Sequence, residues 1–270
     1  MKNLAWHTKL VLALIAFLPI YFMIAALGTK IGLWSWIVGL VSMTFGAGPF
    51  LLGITALVAL VSLIIGLIKK PRSKVVIAVA VLGLVIPAIM FGGFLSVSGK
   101  AEANPIHDVA TDTANPPAFS AETMAAREEF GAKPLSDYQT PLGRIEPWAS
   151  SEQIPEDVKN RSHAQIITDQ YANLSPLPLG GATRADAIQS VAAAMEEMGL
   201  GEIRKDEEAG IVEGVATSFW FGFKDDVVAR VGEQEIDFRS VSRVGQSDLG
   251  MNAKRIGELR ALTAEQIGQR

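Results

Sequence analysis

The negative charge of this chain begins only after residue 95, and this asymmetry restricts the fold more than any other feature. Residues 1–95 contain seven Lys and Arg residues and no Asp or Glu, so the formal net charge of −4 combines +7 here with −11 in the remainder. A basic, apolar region followed by an acidic one is typical of a membrane anchor that carries a water-soluble domain. The acidic domain argues against nucleic-acid binding, which needs a surplus of Lys and Arg. The absence of cysteine excludes disulfides, thiolate metal sites and a Cys nucleophile.

Three stretches are long and apolar enough to cross a bilayer, whose core of about 30 Å needs about 20 helical residues. They are residues 10–27, 49–68 and 75–95. A further apolar stretch, residues 31–45 with Trp34 and Trp36, is either a helix at the membrane interface or a short fourth span. The interiors of the three spans contain no ionisable residue, which argues against coupled transport through the membrane.

The basic residues predict the orientation of the spans, because cytoplasmic loops concentrate Lys and Arg. The two basic segments are the tract 69–74 and the pair Lys2 and Lys9. Three spans place both segments in the cytoplasm, whereas four spans place them on opposite sides. We therefore expect three spans in a bacterial inner membrane, with a cytoplasmic N-terminus and a periplasmic C-terminal domain. The first span lacks a convincing small-x-small cleavage site and is expected to remain as an anchor.

The predicted domains are a transmembrane anchor at 1–95, a Pro-rich segment of the soluble domain at 96–180, and an α+β core at 181–270. The Pro-rich segment holds nine of the 13 prolines and should wrap over other elements rather than form its own core. Its one good helix candidate is Ala121–Phe130, which follows the capping residue Ser120.

The α+β core shows alternating helix and strand patterns. A helix is predicted after Thr183, which has Asp186 three residues on, and it should end at Gly199. Residues 211–223, 226–231 and 235–241 read as strands of an antiparallel meander. A last helix is predicted from about residue 250 to 267, capped by Asp248 or Asn252.

Pairing Val231 with Ile236 across the turn places Arg230 opposite Asp237 and separates the two faces of the sheet. The apolar face then holds Val227, Ala229, Val231, Ile236 and Phe238, and the charged face holds Asp226, Arg230, Asp237, Arg239 and Arg243. Two helices can pack on the apolar face. The predicted fold is therefore a membrane-anchored α+β protein, with three transmembrane helices followed by an antiparallel sheet packed with helices in a two-layer sandwich.

The charged face allows two interpretations. In the first, its residues form a ladder of ion pairs under the Pro-rich segment, whose Asp108 and Asp112 pair with the remaining arginines. In the second, Arg239, Arg243 and Arg255 hold an anion such as a lipid phosphate, because guanidinium groups match phosphate oxygens. We favour the first interpretation, because charge lattices more often serve as scaffolding than as sites.

No catalytic or metal site is predicted. His107 and Asp108 are adjacent in an extended segment, so their side chains point in opposite directions, and no Gly-x-Ser-x-Gly motif occurs. His163 lies in a polar segment without a partner that the sequence identifies. The acidic residues lack the spacing of a calcium loop, and no cofactor is expected. The aromatic residues Phe119, Trp220, Phe221, Phe223 and Phe238 are expected in the core rather than around a ligand.

Several blocks of the soluble domain resemble the bacterial domain-of-unknown-function family 1499. They are 106–108 with Thr111, Asp112 and 116–119, then 225–230, then the long block 237–256. The resemblance covers roughly residues 104–262, and the Gly32-Leu33-Trp34 sequence resembles the multi-span version of these proteins. It implies an envelope location and no agreed activity.

The candidate motif or ligand-binding residues are His107, Asp108, Asp112, Asp226, Arg230, Asp237, Arg239, Arg243, Asp248, Asn252 and Arg255. The expected function is non-enzymatic: a periplasmic domain, anchored in the lipid bilayer, that binds an envelope lipid or a protein partner. The alternative is a periplasmic hydrolase that uses His107 with a carboxylate partner.

Overall fold

A computed structural model describes residues 4–268 and divides the chain into two compact units. The first unit contains the residues up to Ser98 together with Phe219–Gly222. The second unit contains the remaining residues from Gly99 onward. The membrane anchor and the soluble domain are therefore described in turn.

Three helices in the first unit are long and apolar enough to cross a membrane. They are α1 (Trp6–Lys30), α2 (Ile37–Ile68) and α3 (Lys74–Ala103). This agrees with the predicted number of transmembrane helices in the described part of the chain. Helix α3 extends eight residues beyond the predicted end of the third span, because Ser96–Ala103 offers no helix-breaking residue except Gly99.

Residues 31–45 do not form the separate interfacial helix or short fourth span that the sequence predicted. Residues Ile37–Ala47 form a π-helix that continues directly into the α-helical part of α2, Gly48–Ile68. Pro49 lies at the start of that α-helical part, where a missing backbone N–H is tolerated. The residues just before Pro49, which were expected to separate two apolar segments, are thus the junction between π-helical and α-helical hydrogen bonding within one helix.

Helix α1 begins earlier than the predicted first span and therefore includes His7. The His7 ring is buried, and its Nδ1 lies 2.7 Å from the Ser62 hydroxyl of α2. This polar pair joins two of the apolar helices, and its ionisable member, His7, lies outside the predicted bounds of the first span. A hydrogen bond of this kind links neighbouring membrane helices.

The soluble domain contains one antiparallel sheet and five helices among its described residues. The strands are β1 (Asp108–Ala110), β2 (Leu177–Pro178), β3 (Gly201–Asp206), β4 (Ile211–Thr217), β5 (Lys224–Val231) and β6 (Glu235–Ser242). The helices are α4 (Ala121–Phe130), α5 (Glu156–Lys159), α6 (His163–Gln170), α7 (Arg184–Glu197) and α8 (Met251–Gly268). The strand order is β1-β6-β5-β4-β3, and β2 also pairs with β6.

The predicted register of the central hairpin is confirmed. Val231 pairs with Ile236 and Arg230 pairs with Asp237, so the apolar and charged faces separate as the alternation requires. Helices α7 and α8 pack on the apolar face, where Phe238 and Ile256 are fully buried. The fold is therefore the predicted α+β arrangement of an antiparallel sheet packed with helices.

The helix predicted after Ser120 is also confirmed, and it covers the charged face. The Ser120 hydroxyl accepts a hydrogen bond from the backbone N–H of Thr123, and Gly131 ends α4 in the left-handed conformation. The Pro-rich segment is more ordered than predicted. Helix α6 begins with a capping box formed by Ser162 and Gln165, which the sequence analysis did not identify.

Candidate functional site

The buried pair of Asp108 and Arg239 forms the centre of the charged face. Arg239 Nε and Nη2 donate to the two carboxylate oxygens of Asp108 at 3.0 and 2.7 Å. Arg239 Nη1 also donates to the Pro117 carbonyl at 3.1 Å, and its guanidinium lies over the rings of Phe119 and Tyr138. The predicted pairing of Asp108 with an arginine of the sheet is therefore confirmed.

Asp108 stays ionised because its partners outweigh its burial. Burial alone raises the pKa of a carboxyl, but the Arg239 guanidinium holds the pKa of Asp108 below its ordinary value. The Tyr138 hydroxyl and the Ser136 backbone N–H also donate to this carboxylate and act in the same direction. The Asp108 carboxylate thus has no open oxygen for a ligand or a substrate.

A second buried group surrounds Asp226 on β5. Arg243 reaches this carboxylate with Nη2 at 2.6 Å and Nε at 3.0 Å, and Arg127 of α4 reaches it with Nη1 at 2.6 Å. All three side chains are almost completely buried. Arg127 also donates to the Lys133 carbonyl, so its guanidinium attaches α4 both to Asp226 of the sheet and to the segment that follows the helix.

The third group lies at the more exposed end of the same face. Arg230 Nη2 lies 2.7 Å from Asp237 across the hairpin and 3.3 Å from Asp112 of the Pro-rich segment. This confirms the pairing predicted for Asp112. We call these three groups the covered lattice, which contains Asp108, Asp112, Arg127, Asp226, Arg230, Asp237, Arg239 and Arg243.

Glu213 of β4 fixes the start of α4 above the covered lattice. Its carboxylate accepts the Ser120 backbone N–H at 2.7 Å and the Ser120 and Thr123 hydroxyls at 2.6 Å each. A buried carboxylate at a helix N-terminus is favoured by the exposed N–H groups and the helix dipole. The same residue therefore satisfies its own charge and orients the covering helix.

Arg255 and Asn252 of α8 form a separate polar network against β6. Arg255 Nη2 lies 2.7 Å from Asp225, and its Nη1 donates to the Ser240 hydroxyl at 2.9 Å. Asn252 is fully buried and donates to the His107 carbonyl at 2.9 Å. Of the two predicted caps, Asp248 is the one used, since it accepts the N–H of Asn252 at 2.6 Å. The predicted candidates therefore divide into two networks on opposite faces of the sheet.

His107 lies in an aromatic cluster rather than beside a nucleophile. Its ring stacks on Trp148 at 5.9 Å between centroids, and the His163 ring meets the same indole edge-on at 5.4 Å. Both imidazoles are buried, and none of their four ring nitrogens has a hydrogen-bond partner of good geometry. The Trp148 indole N–H donates to the Pro105 carbonyl, which fixes the ring between the two histidines.

Burial lowers the pKa of both imidazoles to about 4, because the charged form loses its hydration. The Asp108 carboxylate opposes this shift in both cases, and nearby cations add to it: Lys133 and Arg127 at His107, and Arg239 at His163. The two histidines are therefore neutral at pH 7.

The contacts of these residues fit a structural role better than anion binding or catalysis. The anion-binding interpretation needs open guanidinium forks, but Arg239, Arg243 and Arg255 each bind a carboxylate of the same chain. The hydrolase interpretation needs His107 within hydrogen-bond reach of a carboxylate and a hydroxyl, and the ring makes neither contact. Within residues 4–268, no three His, Asp or Glu side chains are grouped so that they could hold a metal ion.

Several partners of the predicted residues were not identified from the sequence. Arg127 and Thr123 lie one turn apart on α4 and are both buried, so this helix places a polar side against a charged sheet. Tyr138 and His163 come from irregular or short elements, where periodicity gives no signal. The aromatic residues also divide: Phe119 and Phe238 are buried as expected, but Trp220 is 53% exposed.

An open polar groove lies elsewhere on the soluble domain. It is lined by Pro141, Gly143, Arg144, Ala149, Glu156, Lys159 and Asn160. None of the predicted candidate residues contributes to it. The groove is therefore separate from the covered lattice.

Replacing Asp108 should destabilise the soluble domain strongly. In Asp108→Asn, Arg239 remains buried without its counter-charge, so we expect the free energy of unfolding to fall by about 3–5 kcal/mol. Hydrogen exchange of the β5 and β6 amides, measured by mass spectrometry on the full chain in detergent, would report this loss. The matched control is Glu258→Gln in the exposed pair with Lys254, for which we expect a loss below about 1 kcal/mol. Equal protection in the two variants would contradict the central role of Asp108.

The soluble domain should lose stability at mildly acidic pH. His107 and His163 titrate near pH 4 when folded and at their ordinary value of 6.5 when unfolded, so the unfolded chain binds protons first. The free energy of unfolding should be constant above pH 6.5 and decrease from there to about pH 4, by up to roughly 3 kcal/mol per histidine.

The contribution of Asp108 is lost in a separate window, below the ordinary carboxyl pKa of 3.8. His163→Phe keeps a ring against Trp148 and should remove about half of the decrease between pH 6.5 and 4, measured by hydrogen exchange as above. The further change His107→Phe should remove most of the rest. An unchanged pH profile in the double variant would show that other groups cause it.

The described soluble domain matches one known family. Residues 108–262 match the family described as "Protein of unknown function (DUF1499)", in agreement with the resemblance seen in the sequence. No curated protein and no solved structure matched the chain. Because the match covers more than half of its 270 residues, the chain belongs to this family.

Proposed function

We propose that this protein is a non-enzymatic, inner-membrane-anchored protein whose soluble domain lies in the bacterial periplasm and binds an envelope component, either a lipid or a protein partner. The observation that carries this proposal is the saturation of the covered lattice. Its buried arginines and aspartates bind one another, which leaves the lattice without an open charge for substrate. A domain of this kind, joined to three candidate spans, is suited to binding at the membrane surface.

The distribution of basic residues supports the periplasmic location. Lys69, Lys70 and Arg72 lie in the connection between α2 and α3, and Lys74 begins α3. The positive-inside rule favours a cytoplasmic location for this connection. With three spans, the residues after α3 are then on the opposite side of the membrane.

The open polar groove is the surface that we assign to the partner. It is concave, and it carries the cationic side chain of Arg144 and the amide of Asn160, together with Lys159, whose ammonium is paired with the Glu156 carboxylate at 3.0 Å. A lipid headgroup phosphate or an acidic protein segment fits this chemistry. Among the described residues Arg144 has no carboxylate partner, whereas the arginines of the covered lattice are paired, so Arg144 makes this groove the better candidate for contact with an anionic group.

The location can be tested in the natural background, because the chain contains no cysteine. We expect Gln234→Cys, in the exposed turn between β5 and β6, to react with a membrane-impermeant maleimide in cells with a permeabilised outer membrane and an intact inner membrane. Lys70→Cys, in the connection between α2 and α3, is the matched control and should react only after the inner membrane is lysed. The reverse pattern would place the soluble domain in the cytoplasm and end the proposal.

Binding at the groove can be tested by photo-crosslinking in growing cells. A benzophenone amino acid at Asn160 should give a lipid or protein adduct that mass spectrometry identifies, because this position lines the groove. The same group at Lys254, on the exposed side of α8, is the matched control and should give little of that adduct. An adduct pattern that is the same at both positions, or no adduct at Asn160, would contradict binding at the groove.

A further inference from the structure

The turn between β4 and β5 has an unusual composition for the surface of a soluble domain. Four of its five residues from 219 to 223 are aromatic, and we call Phe219–Phe223 the aromatic tip. Phe219 is 68% exposed and Trp220 is 53% exposed, and their rings meet edge-on at 5.1 Å. No acidic residue occurs between Glu213 and Asp225, although the soluble domain as a whole is acidic.

The aromatic tip is held in a defined turn rather than a loose loop. The Ser218 backbone N–H donates to the Phe223 carbonyl at 2.8 Å, and the Phe223 backbone N–H donates to the Ser218 hydroxyl at 2.9 Å. Gly222 has a φ of +68°, a conformation that side-chain-bearing residues seldom adopt. The fold therefore presents Phe219 and Trp220 outward at a fixed place.

Most of the aromatic tip belongs to the same compact unit as the candidate spans. Phe219–Gly222 groups with the residues up to Ser98, and the Lys30 ammonium lies 4.1 Å from the centroid of the Phe219 ring. Lys30 is the last residue of α1, a helix of 25 residues that is longer than the apolar core of a bilayer requires. A lysine at the end of such a span lies at the level of the lipid headgroups.

The order of the spans places Lys30 on the correct side for this contact, whichever way the anchor is inserted. Three consecutive spans alternate in direction, so the end of α1 and the end of α3 emerge on the same side of the membrane. The soluble domain follows α3 and is therefore on the side of Lys30. The headgroup layer that Lys30 occupies is the layer that the soluble domain faces.

We infer that the aromatic tip inserts into the lipid headgroup region and gives the soluble domain a second attachment to the membrane, in addition to α3. Trp and Phe suit this layer, where the ring leaves water and the indole N–H stays hydrated. The partner is the bilayer surface itself. The inference needs only that the candidate spans are in a membrane, and it does not depend on a ligand in the open polar groove or on which compartment holds the domain.

The test uses the full chain in vesicles of phosphatidylethanolamine and phosphatidylglycerol. A nitroxide on Thr217→Cys, beside the tip, leaves both exposed aromatic side chains in place. The matched control is a nitroxide on Gln234→Cys, in the turn at the opposite end of β5. We expect oxygen, which concentrates in lipid, to relax the label at residue 217 more than a water-soluble nickel chelate does, and the order to be reversed at residue 234.

Adding Phe219→Ser and Trp220→Ser should move the label at residue 217 to the pattern of the control and leave residue 234 unchanged. A label at residue 217 that prefers the nickel chelate from the start would overturn the inference. So would protection from both reagents, since a protein surface would then cover the tip, or a pattern that the serine variants do not alter. The maleimide test of the compartment is unaffected by any of these outcomes, so the two proposals can fail separately.

Discussion

The soluble domain depends on burying the ion pair of Asp108 and Arg239 without leaving either charge unpaired. The desolvation of two charges costs more than most contacts return, unless the pair is well aligned and the remaining hydrogen bonds are satisfied. Here Arg239 binds Asp108 with two nitrogens, and Tyr138 and Ser136 complete the carboxylate. Because β1, β6 and the stretch from Pro117 to Tyr138 each supply a partner, the pair forms only when all three are assembled.

The same constraint fixes the register of the sheet. A shift of β6 by one residue against β5 would turn Arg239 toward the apolar face and Phe238 toward the covered lattice. Both changes are costly, so the covered lattice and the apolar core exclude the same alternative. The lattice also explains how α4, whose buried side chains are polar, stays on the sheet: the helix is attached through Arg127 and Glu213 rather than through a large apolar surface.

The sequence predicted those parts of the fold in which one pattern acts over several residues. The turn after Val231 and the alternation on both sides of it determined the pairing of Arg230 with Asp237, and Thr183 and Gly199 marked the two ends of α7. The sequence did not predict the elements and side chains whose position depends on contacts with residues far away in the chain. Helix α6 is too short to show a period, β3 is a polar edge strand, and Trp220 reads as part of a buried strand until Gly222 turns the chain. The pairing of Arg127 with Asp226 joins residues 99 positions apart, and no local signal reports it.

Insertion of the aromatic tip, as inferred above, would attach the soluble domain to the membrane at two points. A tether through α3 alone lets a domain rotate over the membrane, whereas a second contact restricts the faces that point away from it. The second contact can be weak and still form, because α3 already holds the tip at a high effective concentration near the lipid surface. A domain whose lattice charges are paired internally, and whose orientation such a second contact would restrict, is suited to presenting the same surface to a partner. The proposed role then depends on where the soluble domain is held at the membrane and not on a reactive side chain.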